Sequence, residues 1–209
     1  MKRNLPGRGS LKEKIMKKQI SRLFASALIF VVIAAMLTGC GIVKVVKIGQ
    51  EGALTGETEF DSSSEGSADW DKVVKELTDN AKDIKDAIKD IGTDPVAVSG
   101  TATIKEWNHA KTKTYLVLDG FDMEVQVQTG TVYTGTAIRD LQTGKTFSDF
   151  KNQTEWSQYA KSLNAQSDQN IVQKLGLSDD VAGKELKFVG AAQKKAGKIV
   201  ITLVSGEIS

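Results

Sequence analysis

The sequence predicts an α+β protein: an amphipathic helix followed by a small antiparallel, OB-like β-barrel or sheet with one inserted helix. Three observations predict it. Apolar residues recur every three or four positions over 70–91, the period switches to two after Pro95, and a second helical stretch interrupts the strand-like runs between residues 152 and 175. Strands, then a helix, then a closing strand pair is the order of a small OB-like barrel, and an open antiparallel sheet fits it nearly as well.

In the first helix Trp70, Val74, Leu77, Ala81, Ile84, Ile88 and Ile91 form one stripe about six turns long. Ser67 or Asp69 can cap its start, and Gly92 before Thr93-Asp94-Pro95 ends it. The stripe could serve a short coiled-coil seam or pack against the protein's own sheet.

Past Pro95, "AVSGTATIKEW" and "KTYLVLDGFDMEVQVQ" alternate like strands, and Asp119-Gly120 signals a hairpin. In the second arm Phe121, Met123, Val125 and Val127 share a core face, leaving Asp122, Glu124, Gln126 and Gln128 for solvent. "GTVYTGTAIRD" reads as a third strand region, and "KELKFVGAAQKKAGKIVITLVSGEI" as a closing hairpin turned at residues 194–197. The inserted helix starts where Asn152 is followed three residues later by Glu155, a capping box. Trp156, Tyr159, Ala160 and Leu163 lie on its buried side, and Gly176 stops it after Leu175.

The amino terminus carries a different message. Eight basic residues and one acidic residue precede Cys40, and Lys12, Lys14, Lys17, Lys18 and Arg22 lead into an uncharged apolar stretch at 23–39. A basic flank before an apolar run is the asymmetry of an export signal. Leu37-Thr38-Gly39-Cys40 resembles the bacterial lipobox, in which the cysteine thiol accepts diacylglycerol and the residue becomes the mature amino terminus. Two or more acyl chains hold a protein to a bilayer without a span, at about 0.8 kcal/mol per buried methylene. The competing reading is an uncleaved transmembrane anchor with an incidental cysteine, and both leave the rest of the chain outside the cytoplasm. The organisation expected is a lipoprotein signal peptide at 1–39, a lipidated tether and linker at 40–66, and a single extracytoplasmic α+β domain at 67–209. Within the tether, residues 42–48 fit either a strand or a membrane-skimming piece.

Composition narrows the partners. From Cys40 onward 20 basic residues face 25 acidic ones, which argues against nucleic acid and leaves membrane lipid, held through acylated Cys40, as the partner the sequence supports. One cysteine allows no internal disulfide, one histidine allows no zinc-type spacing, and no cofactor motif is present, so neither a metal nor a cofactor is expected.

Two stretches could carry a binding site. Arg139 is the only arginine after Cys40, beside 19 lysines, and its planar fork suits an anionic ligand or an ion pair with Asp140, Asp149 or Glu155. Asp149, Asn152 and Gln153 stand near Phe147 and Phe150, where aromatics and amides could hold a sugar or could cap the helix and dock the loop. His109 sits in a polar loop without a partner nucleophile, and Asp119, Asp122 and Glu124 lack calcium-loop spacing.

"GTAIRD" at 135–140, "FSDFKNQTEW" at 147–156 and "SLN" at 162–164, with elements at 46–49 and 54–61, resemble a family of predicted periplasmic lipoproteins, domain of unknown function 2291. This chain departs from it in a Ser/Gly-rich insertion after Phe60. Members of that family are often encoded beside ribose-type sugar ABC transporters, so the resemblance implies an accessory role in carbohydrate uptake, with a carbohydrate ABC transporter component as partner. A structural cell-envelope lipoprotein without a small-molecule ligand is the alternative. An enzyme is not expected, since the chain offers one histidine, no thiol left free after acylation and no phosphate-binding loop.

Overall fold

The computed structural model describes residues 60–209. The signal segment, Cys40 and residues 42–48 lie outside the described residues. Among the described residues no helix is long and apolar enough to cross a membrane.

The first helix, α1 (Ser62–Asp79), starts before Ser67 and Asp69, the expected caps. Asp61 is the cap instead, its carboxylate accepting the backbone N–H groups of Ser63 and Ser64 at 3.0 and 3.2 Å. The serine-rich stretch from residue 62 to 66, expected as linker, is therefore the first turn of the helix and part of the domain.

The expected single helix through Ile91 is also broken. Asn80 turns its amide back onto the Glu76 carbonyl at 2.8 Å, Lys82–Asp83 forms a short strand β1, and Asp83 caps a separate helix α2 (Ile84–Asp90). The break has a packing cause. Trp70, Val73 and Leu77 join a cluster outside the barrel, whereas Ile84 and Ile91 join the barrel's own core, and one straight helix cannot face both.

The barrel is built around a strand with two sets of neighbours. β2 (Val96–Asn108) pairs with β1 in parallel at Val98 and Ser99. It runs antiparallel to β5 (Glu185–Lys195) through residues 96–103 and to β3 (Tyr115–Leu118) through 104–108, with a register shift between Ile104 and Glu106. β3 pairs antiparallel with β4 (Val125–Gln128), β4 parallel with β6 (Lys198–Ile208), and β6 antiparallel with β5. Five strands thus close a circle, and the alternative between barrel and open sheet resolves as a closed barrel. Val98, Ile104, Leu116, Val125, Val127, Leu186, Ile199 and Ile201 are almost fully buried in its core.

On the outer face of the same strands, small Ala97 and Ala191 admit the helical layer, where Trp70, Leu77, Tyr159 and Leu163 pack. That layer consists of α1 and α4 (Gln153–Asn170) with the short α3 (Ala137–Leu141). α4 starts as expected at Asn152, whose side chain accepts the Glu155 N–H at 2.9 Å, although Glu155 reaches back to the Lys151 N–H rather than to Asn152. It ends at Asn170, followed by a 3₁₀ turn over Val172–Lys174, before Gly176 at φ +64°.

Two expectations between β4 and α4 fail together. "GTVYTGTAIRD" is not a strand but a loop leading into α3, and Gln128, placed on the solvent face by alternation, is 7% exposed. Its amide is the reason for both: Oε1 accepts from the Thr134 N–H at 2.7 Å, and Nε2 donates to Thr202 Oγ1 at 2.8 Å and to the Thr134 carbonyl at 3.3 Å. A side chain thus occupies the backbone groups that a third strand would have used.

The closing hairpin turns where the sequence placed it, at Ala196 and Gly197 between the paired Lys195 and Lys198. Both central residues have positive φ, +50° and +79°, which suits Gly197 and strains Ala196. Ala196→Asn is expected to stabilise the domain by about 0.5–1 kcal/mol, because asparagine tolerates this backbone region. A higher denaturant midpoint at unchanged slope checks it, and an unchanged midpoint would mean the turn carries no strain.

Candidate functional site

The residues singled out around Arg139 do come together in space. Trp156, on the first turns of α4, is packed by Phe150 at 5.0 Å between ring centroids, by Phe147 edge-on at 6.5 Å and by the Arg139 guanidinium 4.4 Å above its ring. Arg139 Nε and Nη2 both donate to Asp140 Oδ1, at 2.8 and 2.6 Å, and Nη1 donates to the Trp156 carbonyl at 3.4 Å. Of the three acidic partners considered for Arg139, Asp140 is the one it holds.

The polar members of the 147–153 segment have local duties. Asp149 caps the 3₁₀ turn Phe147–Asp149, accepting from the Thr146 N–H at 2.7 Å and the Thr146 hydroxyl at 3.1 Å, which keeps its carboxyl below the ordinary aspartate range. Asn152 caps α4, and Gln153 is exposed on its first turn. Phe147 is 51% exposed, the most exposed large apolar side chain among the described residues.

Beside this patch lies a half-buried polar knot. The Tyr159 hydroxyl donates to Asp69 at 2.9 Å, and the Lys145 ammonium bridges Asp69 at 3.0 Å and Glu65 of α1. Burial alone would lower Lys145, but its hydrogen bonds with Glu65 and Asp69 outweigh that and raise it above the usual lysine range. The knot ties α1 to α4 through side chains far apart in the sequence, which no spacing rule reveals.

His109 stacks on Trp107 at 4.1 Å and approaches Asp179 at 3.3 Å on the surface. Among the described residues no group of three His, Cys, Asp or Glu is placed to hold a metal ion.

A second site was missed by the sequence. A cleft of about 460 Å³ opens between residues 131–133 and one face of α4, lined by Val132, Tyr133, Lys161, Asn164, Asp168 and Gln173 among others. Its size falls within the roughly 300–1,000 Å³ of small-molecule sites. Tyr133 falls in "GTVYTGTAIRD", which alternates like a strand, and Asp168 lies in "AQSDQN", a run whose polarity looks like a solvated face. The available signal was that Asn164, Ser167 and Asp168 follow buried Ala160 and Leu163 at helical spacing.

The family model described as "Predicted periplasmic lipoprotein (DUF2291)" matches residues 30–204, spanning both Cys40 and the barrel domain. The chain belongs to this family. Membership makes it a predicted periplasmic lipoprotein, extracytoplasmic and membrane-associated, in a family of unknown function. No curated protein matches the chain. Among solved structures, an OB-fold protein from Thermotoga maritima is similar with a TM-score of 0.53 at 13% identity, covering 73% of this chain and all of that one. This likeness concerns the fold, and with the closed five-stranded barrel it makes the domain OB-like. An aspartyl tRNA synthetase from Entamoeba histolytica gives a TM-score of 0.30 at 11% identity, over 61% of this chain and 21% of that one.

Proposed function

We propose that this protein is anchored to the outer side of the cell membrane through diacylglyceryl Cys40 and works there by binding rather than catalysis, as an accessory to a carbohydrate ABC transporter. The observation that carries the anchoring is Leu37-Thr38-Gly39-Cys40 at the end of a basic-flanked apolar segment, inside the stretch matched by a lipoprotein family. The transporter role is supported by the family resemblance. The binding role is supported by an exposed Phe147 beside Arg139 and by the cleft along α4. The surface around Arg139 and residues 147–153, with Asp149, Asn152 and Gln153 at its rim, is the contact region we assign to the transporter component.

Cys40→Ser is the direct test, because serine has no thiolate to accept the diacylglyceryl group. The variant is expected to stay uncleaved and unmodified, whereas mass spectrometry of the native protein is expected to find an acylated amino terminus at Cys40. An unmodified Cys40 in the native host would defeat the lipoprotein reading. Co-purification of the acylated protein with a carbohydrate ABC transporter component tests the second half, and its failure with anchoring intact leaves a structural envelope lipoprotein.

A further inference from the structure

Asp168 is the only charged residue among the buried described residues, at 8% exposure. Among the described residues no ion pair reaches its carboxylate; Arg139, Lys145 and Lys184 pair instead with Asp140, with Glu65 and Asp69, and with Asp180. What it has is the Gln173 amide at 2.8 Å on Oδ2 and the Tyr133 hydroxyl at a long 3.5 Å on Oδ1. An ionised carboxylate offers about four acceptor positions, and leaving them empty in a buried site is costly. Asp168 is one of the residues lining the cleft, where a ligand could fill them.

The rest of the lining selects what could fill them. Lys161 on the same wall disfavours a free cation at Asp168, and Asp168 disfavours an anion at Lys161. Gln169 carries an amide that both donates and accepts, while Gln173 and Asn164 each engage one amide N–H already, with Asp168 at 2.8 Å and with the Gly135 carbonyl at 3.2 Å. Val132 and Ala165 supply an apolar rim, Val132 being 38% exposed. Burial, reinforced by the Asp168 charge, pushes the Tyr133 hydroxyl above the ordinary phenol range, so it remains a donor.

We infer that the cleft between residues 131–133 and α4 binds a neutral polyhydroxylated molecule of monosaccharide size, with Asp168 accepting from its hydroxyls. Each hydroxyl both donates and accepts, which matches a wall that mixes one carboxylate, one ammonium and several amides without net charge. The Tyr133 hydroxyl closes on Asp168 from the loop side, and the Val132 and Ala165 side chains lie against the ligand's C–H face.

The inference rests on reading the domain as a binding protein, and the two fail separately. Full-length lipidated protein in detergent micelles is titrated by calorimetry with D-glucose, D-galactose and myo-inositol, with putrescine and citrate as the charged comparisons. At least one polyol is expected to bind saturably, and both Asp168→Asn and Ala165→Leu to weaken it tenfold or more. Ala165 is exposed on α4, and leucine is a good helix former, so this variant fills the cleft without disturbing the fold even if Asp168→Asn destabilises it. No polyol binding by the folded protein, undiminished binding in Ala165→Leu, or binding of putrescine or citrate alone would each overturn the site. Such a result with Cys40 acylated and the transporter component still co-purifying removes the cleft and leaves the proposed function standing.

Discussion

Tyr159→Ala is expected to destabilise the domain by about 3–5 kcal/mol, the range for removing a large aromatic from a core. Tyr159 is fully buried between Phe150 at 5.2 Å and Trp156 at 6.0 Å, so alanine leaves a cavity where α1, α4 and the 147–150 turn converge. It also strips a donor from Asp69, which then keeps only the Lys145 ammonium. Tyr159→Phe separates the two contributions. It retains the ring and should cost about 1 kcal/mol, the net worth of one hydrogen bond. Denaturant unfolding of both variants measures the difference, and equal losses would mean that the hydroxyl, not the packing, holds the helices together.

The same hydroxyl sets an alkaline limit. Burial, and then the hydrogen bond to Asp69, raise Tyr159 above its ordinary value, as burial and then the Asp168 charge raise Tyr133. A group whose folded value lies above its unfolded one contributes stability that is complete below the unfolded value, about 10 for tyrosine, and is lost as pH rises beyond it. The midpoint of the native protein is therefore expected to fall above about pH 10, and to fall less in Tyr159→Phe.

Gly190→Val is expected to prevent accumulation of folded protein, with Gly190→Ala costing about 1–3 kcal/mol through overpacking. A Cβ at this position would lie 2.7 Å from both the Thr202 carbonyl oxygen and the Ile201 side chain. The carbonyl belongs to the adjacent strand β6 and cannot withdraw without disturbing the β5–β6 ladder, whose register already shifts between Val189 and Gly190. Gly92→Ala is the matched control, since a Cβ there meets nothing within 4 Å. Melting temperatures that drop equally in both alanine variants would sink the close-approach argument.

Local rules made part of this fold legible. The Asn152 cap, the buried Tyr159 and Leu163 of α4, and the turn at Ala196-Gly197 all follow from residues within a few positions of each other. What stayed hidden depends on distant partners. The stripe from Trp70 to Ile91 has unbroken helical spacing, yet its halves belong to two different cores, and only the closed barrel separates them. Alternation put Gln128 in solvent, whereas Thr202 and Thr134 draw it inside. The site was legible to a similar degree. The aromatic surroundings of Arg139 and the capping duties of Asp149 and Asn152 could be read as alternatives, while the Asp168 cleft could not, because nothing in "AQSDQN" shows that a loop 30-odd residues upstream folds over it.

The barrel's closure has a cost in time. Its parallel seam joins only Val125, Val127 and their neighbour Gln126 to Ile199, Val200 and Ile201, segments separated by about 70 residues. Chain entropy makes such a contact slow to form, and it gains little until β5 and β6 have already zipped into their hairpin. For a chain that crosses a membrane from its amino terminus, the exposed edge of β4 therefore waits until β6 has emerged. Throughout that interval the half-built sheet presents unpaired backbone groups, the condition in which strands join the wrong partner. A fold stitched shut by its carboxyl-terminal strand leaves the β4 edge open for longest, however stable the finished domain is.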